Sequence, residues 1–213
     1  LADIHRNRDD FRVGVVTDQQ IYHEFSAGKP DPAAIRNFLR NSYNRSTPED
    51  SLKYLLLFGD GSYDNRNSGE SPYLITYQSL QSLHYSRSFV SDDFFGLLDP
   101  GDHIEQSPSG LIDLGIGRFP VREKAEAEQL VDKIERYINR KNWGGWLNKI
   151  CFVADDEDNN LHMRDADKLA SFVAGNYPQF DINKVYFDSY NQQVTATGAR
   201  YPQVSSEINE QIN

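Results

Sequence analysis

KICFVADDEDNNLHMRDADKLA, residues 149–170, is the stretch whose reading decides the fold. Its opening run, 149–155, has the apolar, β-branched character of a buried strand, and Cys151 sits inside it between Ile150 and Phe152. Four acidic residues, Asp155 to Asp158, end that run, and helical patterning takes over from about 161 to 174. A second strand pattern, NKVYFDS, follows at 183–189, and PQVSSEINEQIN from Pro202 begins a further helix. Strands alternating with helices imply a parallel sheet with helices on its faces.

The same alternation extends towards the N-terminus. Residues 122–141 place Ala127, Leu130, Val131, Ile134, Tyr137 and Ile138 on one helical stripe, and Trp143-Gly144-Gly145-Trp146 interrupts it. LIDLGIGRFPV at 111–121 reads as a strand. Residues 62–110, rich in Ser, Asn, Asp, Gly and Tyr, read as long loops with strand pieces at 73–75 and 94–98. KYLLLFGDG around 53–61 holds consecutive apolar residues, the mark of a parallel strand buried on both faces. Asp31 before Pro32 starts a helix whose inner face carries Ile35, Phe38, Leu39 and Tyr43. FRVGVVT at 11–17 reads as a strand, with Asp18 capping a short helix that ends at Gly28. The expected architecture is α/β, a doubly wound parallel sheet, in two subdomains over 1–145 and 146–213.

Across 213 residues, 22 Lys and Arg face 32 Asp and Glu, a net charge of −10. That balance disfavours nucleic acid, whose phosphates call for clustered cations, and leaves hard metal ions as partners. The first residues, LADIHRNRDD, lack the apolar centre of a signal peptide, and no apolar run reaches membrane-spanning length. The single cysteine excludes an internal disulfide and a Cys-rich zinc site.

In parallel sheets, ligand sites gather at the carboxyl ends of strands. Three acidic segments fall there: Asp60 and Asp64, Asp92 and Asp93, and Asp155 to Asp158. Each is either a set of oxygen ligands for calcium or a group of turn caps in water. The third begins like an EF-hand loop but has Asn160 and Ala166 where that loop requires Gly and Glu. Cys151 reads as a core residue. The five histidines, at 5, 23, 84, 103 and 162, show no metal-ligand spacing, and His162 reads as a capping or solvent-facing side chain. Neither a dinucleotide fingerprint nor a P-loop is present. A metal-dependent hydrolase built on Asp60, Asp92 and Asp155 would require those ligands to converge.

Four blocks taken together, EFSAGKPDPAAIRNFLR (24–40), FVSDDFFGLLD (89–99), LIDLGIGRFPV (111–121) and the segment 149–170, resemble the gingipain-type cysteine peptidases, family C25. Within that family the resemblance is to members acting as sortase in the type IX secretion system of Bacteroidetes. It implies a caspase-like fold, truncated here before the catalytic dyad, because the family's His and Cys motifs would lie beyond Asn213. It further implies a cysteine endopeptidase in the full-length protein, with this piece inactive alone. The carboxylate that orients the catalytic imidazole aligns with Glu157, or with Asp156 after a one-residue shift. The position setting P1 preference in the arginine-specific members falls near His162, so an arginine preference is not expected. Structural calcium is implied at Asp92 and Asp93, and the chemistry requires no cofactor. The implied partners are protein substrates bearing C-terminal secretion signals and outer-membrane proteins of the secretion machinery, at the cell surface. The competing expectation is a member that keeps the fold as a non-catalytic scaffold.

Overall fold

The computed structural model describes residues 1–65, 73–105, 109–141, 143–156, 158–196 and 198–212, and the chain divides into two units, Leu1–Glu135 and Arg136–Asn213. The first unit opens with α1 (Ala2–Arg8), a helix that the sequence reading did not anticipate. His5 and Asp9 hold its end with a 2.7 Å contact. Residues 11–17 form no strand, contrary to expectation. Side chains hold this extended segment: Arg12 pairs with Asp50 at 2.7 Å, the Phe11 ring stacks on Tyr54 at 5.7 Å, and Arg6 donates to the Val13 carbonyl. β-branched composition suits a strand but does not supply a neighbouring ladder.

Thr17, not Asp18, caps α2 (Asp18–Phe25), and its side chain and that of Gln20 form a reciprocal capping box. Gly28, at φ +83°, sends its N–H back to the Tyr22 carbonyl at 2.8 Å and so closes the helix. α3 (Pro32–Asn44) starts as its sequence dictates, with the Asp31 carboxylate accepting from the Ala33 N–H at 2.8 Å. Its inner face buries Ile35 and Leu39 and half-buries Phe38 and Tyr43.

β1 (Tyr54–Phe58) is followed by β2 (Tyr77–Gln78) and β3 (Val90–Ser91), which pair antiparallel. β4 (Gly115–Phe119) then lies parallel to β1, in register from Tyr54 opposite Gly115 to Phe58 opposite Phe119. Burial along β1 alternates: Leu57 is buried and Leu55 half-buried, while Tyr54, Leu56 and Phe58 are exposed. The apolar run is therefore covered on one face, by a core of Ile21, Tyr22, Ile35, Leu39, Ile75, Phe95, Leu98 and Leu114. Residues 94–98, expected as a strand piece, instead form part of a 3₁₀ turn (Asp93–Gly96) and its exit. The turn inserts Phe95 and Leu98 into the core, where they are 0% and 1% exposed. Each such burial removes about 1.5–3 kcal/mol of apolar hydration cost.

α4 (Lys124–Ile138), the clearest helix in the sequence, spans the division between the units. Its stripe of Ala127, Leu130, Val131, Ile134 and Ile138 is half-buried, and Tyr137 is exposed.

In the second unit β5 (Lys149–Ala154) runs through α5 (Leu161–Asn176) to β6 (Asp181–Tyr186), parallel to it from Lys149 opposite Asp181 to Ala154 opposite Tyr186. A short antiparallel hairpin, β7 (Gln193–Thr195) and β8 (Gly198–Arg200), precedes α6 (Pro202–Ile212). Among the described residues of the second unit, Ala154, Ala170, Val185 and Val204 are the buried apolar ones. Among the described residues the parallel sheets are two-stranded, one in each unit, so the fold is a mixed α/β arrangement with small parallel sheets. No described helix is long and apolar enough to cross a membrane.

Candidate functional site

At the carboxyl end of β5, Ala154 is buried and Asp155 and Asp156 emerge half-buried. Asp158, Asn159 and Asn160 then adopt φ of 55°, 54° and 58°, three successive left-handed residues. That conformation disfavours side chains, although Asn and Asp tolerate it better than most. The turn delivers the chain into α5 with His162 in its first helical turn.

His162 Nδ1 lies 2.7 Å from Asp155 Oδ1, and its Nε2 is 3.8 Å from Asp158 Oδ2. The Asp155 hydrogen bond, reinforced by the charges of Asp155 and Asp158, raises the His162 pKa above the ordinary histidine value. Asp156 meets a different kind of group, because the Tyr201 hydroxyl donates to its Oδ2. Gln192 donates to the same phenol oxygen at 2.9 Å, and Phe187 packs on the ring at 5.0 Å. The neighbouring carboxylate, helped by burial, pushes the Tyr201 pKa up to about 12. Glu157, the first candidate for orienting an imidazole, lies outside the described residues. Cys151 is exposed on β5 and not in the core, and desolvation holds its thiol above the usual range, which disfavours the nucleophilic thiolate.

The carboxyl ends of β1 and β4 in the first unit present a cavity of about 250 Å³, lined in part by Asp60, Ser62, Tyr63, Thr76, Asp92 and Arg118. Its charges are already matched. Arg118 grips Asp92 with two hydrogen bonds of 2.7 Å and donates to the carbonyls of Gly59 and Leu74 at 2.9 and 3.2 Å. Arg122 bonds Asp60 at 2.6 Å, and this contact holds the Asp60 carboxyl below its ordinary pKa. Guanidinium groups thus occupy two of the three acids on which a metal hydrolase reading depended.

The same geometry gives the surroundings of Asp92 and Asp93, the residues expected to hold calcium. Asp92 is paired with Arg118, and Asp93 is exposed at the start of the 3₁₀ turn. Among the described residues the carboxylates that converge are Asp99, Asp102 and Asp113, whose ligand oxygens lie within 4.8 Å of one another. Three hard oxygen donors suit calcium or magnesium. Gly110, at φ +94°, is required beside them, because a Cβ there would lie 2.1 Å from Asp102 Oδ1. Asp99 and Asp102 flank a Pro-Gly turn, a local signal in the sequence, but Asp113 joins them only through the fold. Tyr201 was missed as well: nothing at 201 points to position 156, forty-five residues earlier in the chain.

The family model for peptidase family C25 matches residues 1–213. Among solved structures the chain is similar to the crystal structure of dimeric latent PorU from Porphyromonas gingivalis, with 33% identity and a TM-score of 0.54 over 68% of this chain. The chain spans 15% of that PorU chain. No curated protein matches. The blocks at 24–40, 89–99, 111–121 and 149–170, the strand–helix units they form and the family match over every residue agree, and the chain belongs to peptidase family C25.

Proposed function

We propose that the chain is the N-terminal part of a sortase-like C25 cysteine endopeptidase domain, with residues 1–145 in a first α/β subdomain and 146–213 opening the catalytic one. In the full-length protein a thiolate assisted by His attacks the peptide carbonyl that joins a secreted cargo protein to its C-terminal signal. Collapse of that adduct breaks the C–N bond, expels the signal as an amine that takes its proton from the His, and leaves the cargo as a thioester. Water hydrolyses the thioester to free cargo, or a lipopolysaccharide amine attacks it to anchor cargo at the outer-membrane surface while the thiolate leaves. The observation that carries this reading is the likeness to PorU at 33% identity.

The 155–158 loop supplies the carboxylate, Glu157 or Asp156, that orients the catalytic imidazole and stabilises its cation. His162, at the start of α5, borders the substrate and disfavours a P1 arginine when charged. Structural calcium is proposed at Asp92 and Asp93, with the converging carboxylates of Asp99, Asp102 and Asp113 as a second candidate.

The test is to incubate the full-length protein with a peptide reproducing a cargo signal junction and an added primary amine. Cleavage together with amine-linked product is the expected result. Cleavage without transfer would reduce the reading to an endopeptidase. No reaction, with no covalent adduct from a thiol-directed peptide warhead, would identify a non-catalytic scaffold.

A further inference from the structure

Asp156 leaves the end of β5 and finds a neutral donor instead of a cation, which sets it apart from Asp60 and Asp92. A charged partner would spend the carboxylate's negative charge, whereas a phenol fixes its direction and leaves the charge available. The phenol is itself fixed. Gln192, just before β7, donates to it, and Tyr201, just after β8, lies across the base of the same hairpin. With the Gln192 amide donating to the oxygen, the hydroxyl proton goes to Asp156 Oδ2. The ring is packed against Phe187, and the Tyr201 carbonyl receives the Ser205 N–H at 3.3 Å as α6 begins. Ring, backbone and hydroxyl are therefore each anchored to a different element of the second unit.

We propose that Tyr201 is a positioning residue that holds Asp156 as the carboxylate orienting the catalytic imidazole, with Gln192 fixing the phenol from behind. This rests on the reading that the 155–158 loop faces that imidazole, and it selects Asp156 over Glu157. One of the roughly four acceptor sites of a carboxylate is used by the phenol. Among the described residues no other side chain is seen to take the rest, which leaves room for an imidazole N–H. A tyrosine titrating at about 12 stays a donor throughout the physiological range.

The experiment uses the full-length protein and a peptide reproducing a cargo signal junction. Tyr201→Phe keeps ring and packing and deletes the donor. Loss of one charge-assisted hydrogen bond predicts a kcat about tenfold lower. KM should stay within about twofold, because the contact acts on the imidazole and not on substrate. Gln192→Leu, a second variant that leaves Tyr201 in place, lowers kcat by about threefold through the freed phenol. In an Asp156→Asn background both changes should fall to less than about twofold, since a residue acting through Asp156 has nothing left to position.

Equal losses in both backgrounds, or an unchanged kcat in Tyr201→Phe, would overturn the inference. If Glu157→Gln abolishes turnover and Asp156→Asn does not, the inference fails and the loop's proposed role survives. If neither change matters, the proposed role of the loop fails with it.

Discussion

The two units both place acidic residues just beyond strand ends, Asp60 after parallel β1 and Asp92 after antiparallel β3 in the first, Asp155 and Asp156 after parallel β5 in the second, and use them in opposite ways. In the first, Asp92 and Asp60 are matched by Arg118 and Arg122. In the second, Asp155 and Asp156 meet His162 and Tyr201, one partner that titrates and one that stays neutral. A guanidinium neutralises a carboxylate and stiffens the loops around it, a phenol directs it without spending its charge, and an imidazole does one or the other according to its protonation. The units differ in packing as well. The first closes around a contiguous core that includes Phe95 and Ile35, whereas the second buries Ala154, Ala170, Val185 and Val204. Acid at a strand end therefore marks a place where chemistry is possible, and the partner decides whether the place becomes a clamp or a site.

The largest effect should come from the first unit's core. Phe95→Ala removes a wholly buried ring and should cost about 3–5 kcal/mol in urea unfolding, whereas Val185→Ala in the second unit should cost about 2. Equal costs would erase the packing contrast.

Next is the clamp. Arg118→Met leaves Asp92 and three carbonyls without their donor in a site where the two side chains are only 13% and 24% exposed. A loss of about 2–3 kcal/mol is expected, below the value for fully buried pairs because water reaches part of the site. Arg118→Lys should recover little, since an ammonium cannot copy the two-pronged contact. Full recovery by Lys would mean that charge alone matters there.

The helix starts come third. Thr17→Ala breaks the capping box of α2 and should cost about 1 kcal/mol. At the start of α5, Asn160 makes no side-chain cap bond and sits at φ 58°, so Asn160→Gly should stabilise by up to about 1 kcal/mol. Destabilisation by glycine would show that the Asn160 side chain does more than tolerate its backbone.

The smallest effect belongs to His162. Its imidazole should titrate above the ordinary histidine value of about 6.5 in an NMR titration and move back towards it in Asp155→Asn. A raised folded-state pKa stabilises the fold while the group is charged. The deficit of His162→Gln should accordingly be full below about 6.5 and vanish as pH rises through the folded-state value. A pH-independent deficit would show that His162 acts by packing and not by charge.

Local rules were sufficient wherever an interaction closes within a few residues. The Asp31-Pro32 start of α3, the Gly28 stop, the stripe of α4 and the succession β5, α5, β6 were legible because caps, φ restrictions and periodicity depend on neighbours in sequence. α1 escaped, being short and polar with no apolar stripe to announce it. The failures share one cause. Residues 11–17 have strand composition and no ladder, residues 94–98 have strand composition and turn into the core, and Cys151 lies in an apolar run yet on its exposed side. Whether an apolar segment pairs, and which face it buries, depends on elements brought alongside from far along the chain.

The candidate site divides in the same way. Sequence alone determined the family, through the resemblance of four blocks, and the strand–helix units and the acidic character of the strand ends, because composition, order and spacing carry these. Tertiary structure alone decided what each acid does: Arg118 reaches Asp92 across 26 positions, Asp113 joins Asp99 and Asp102 through the fold, and Tyr201 reaches Asp156 across 45. A carboxylate's role follows from the charge, proton and direction of the group opposite it, and that group is chosen by packing rather than by proximity in sequence.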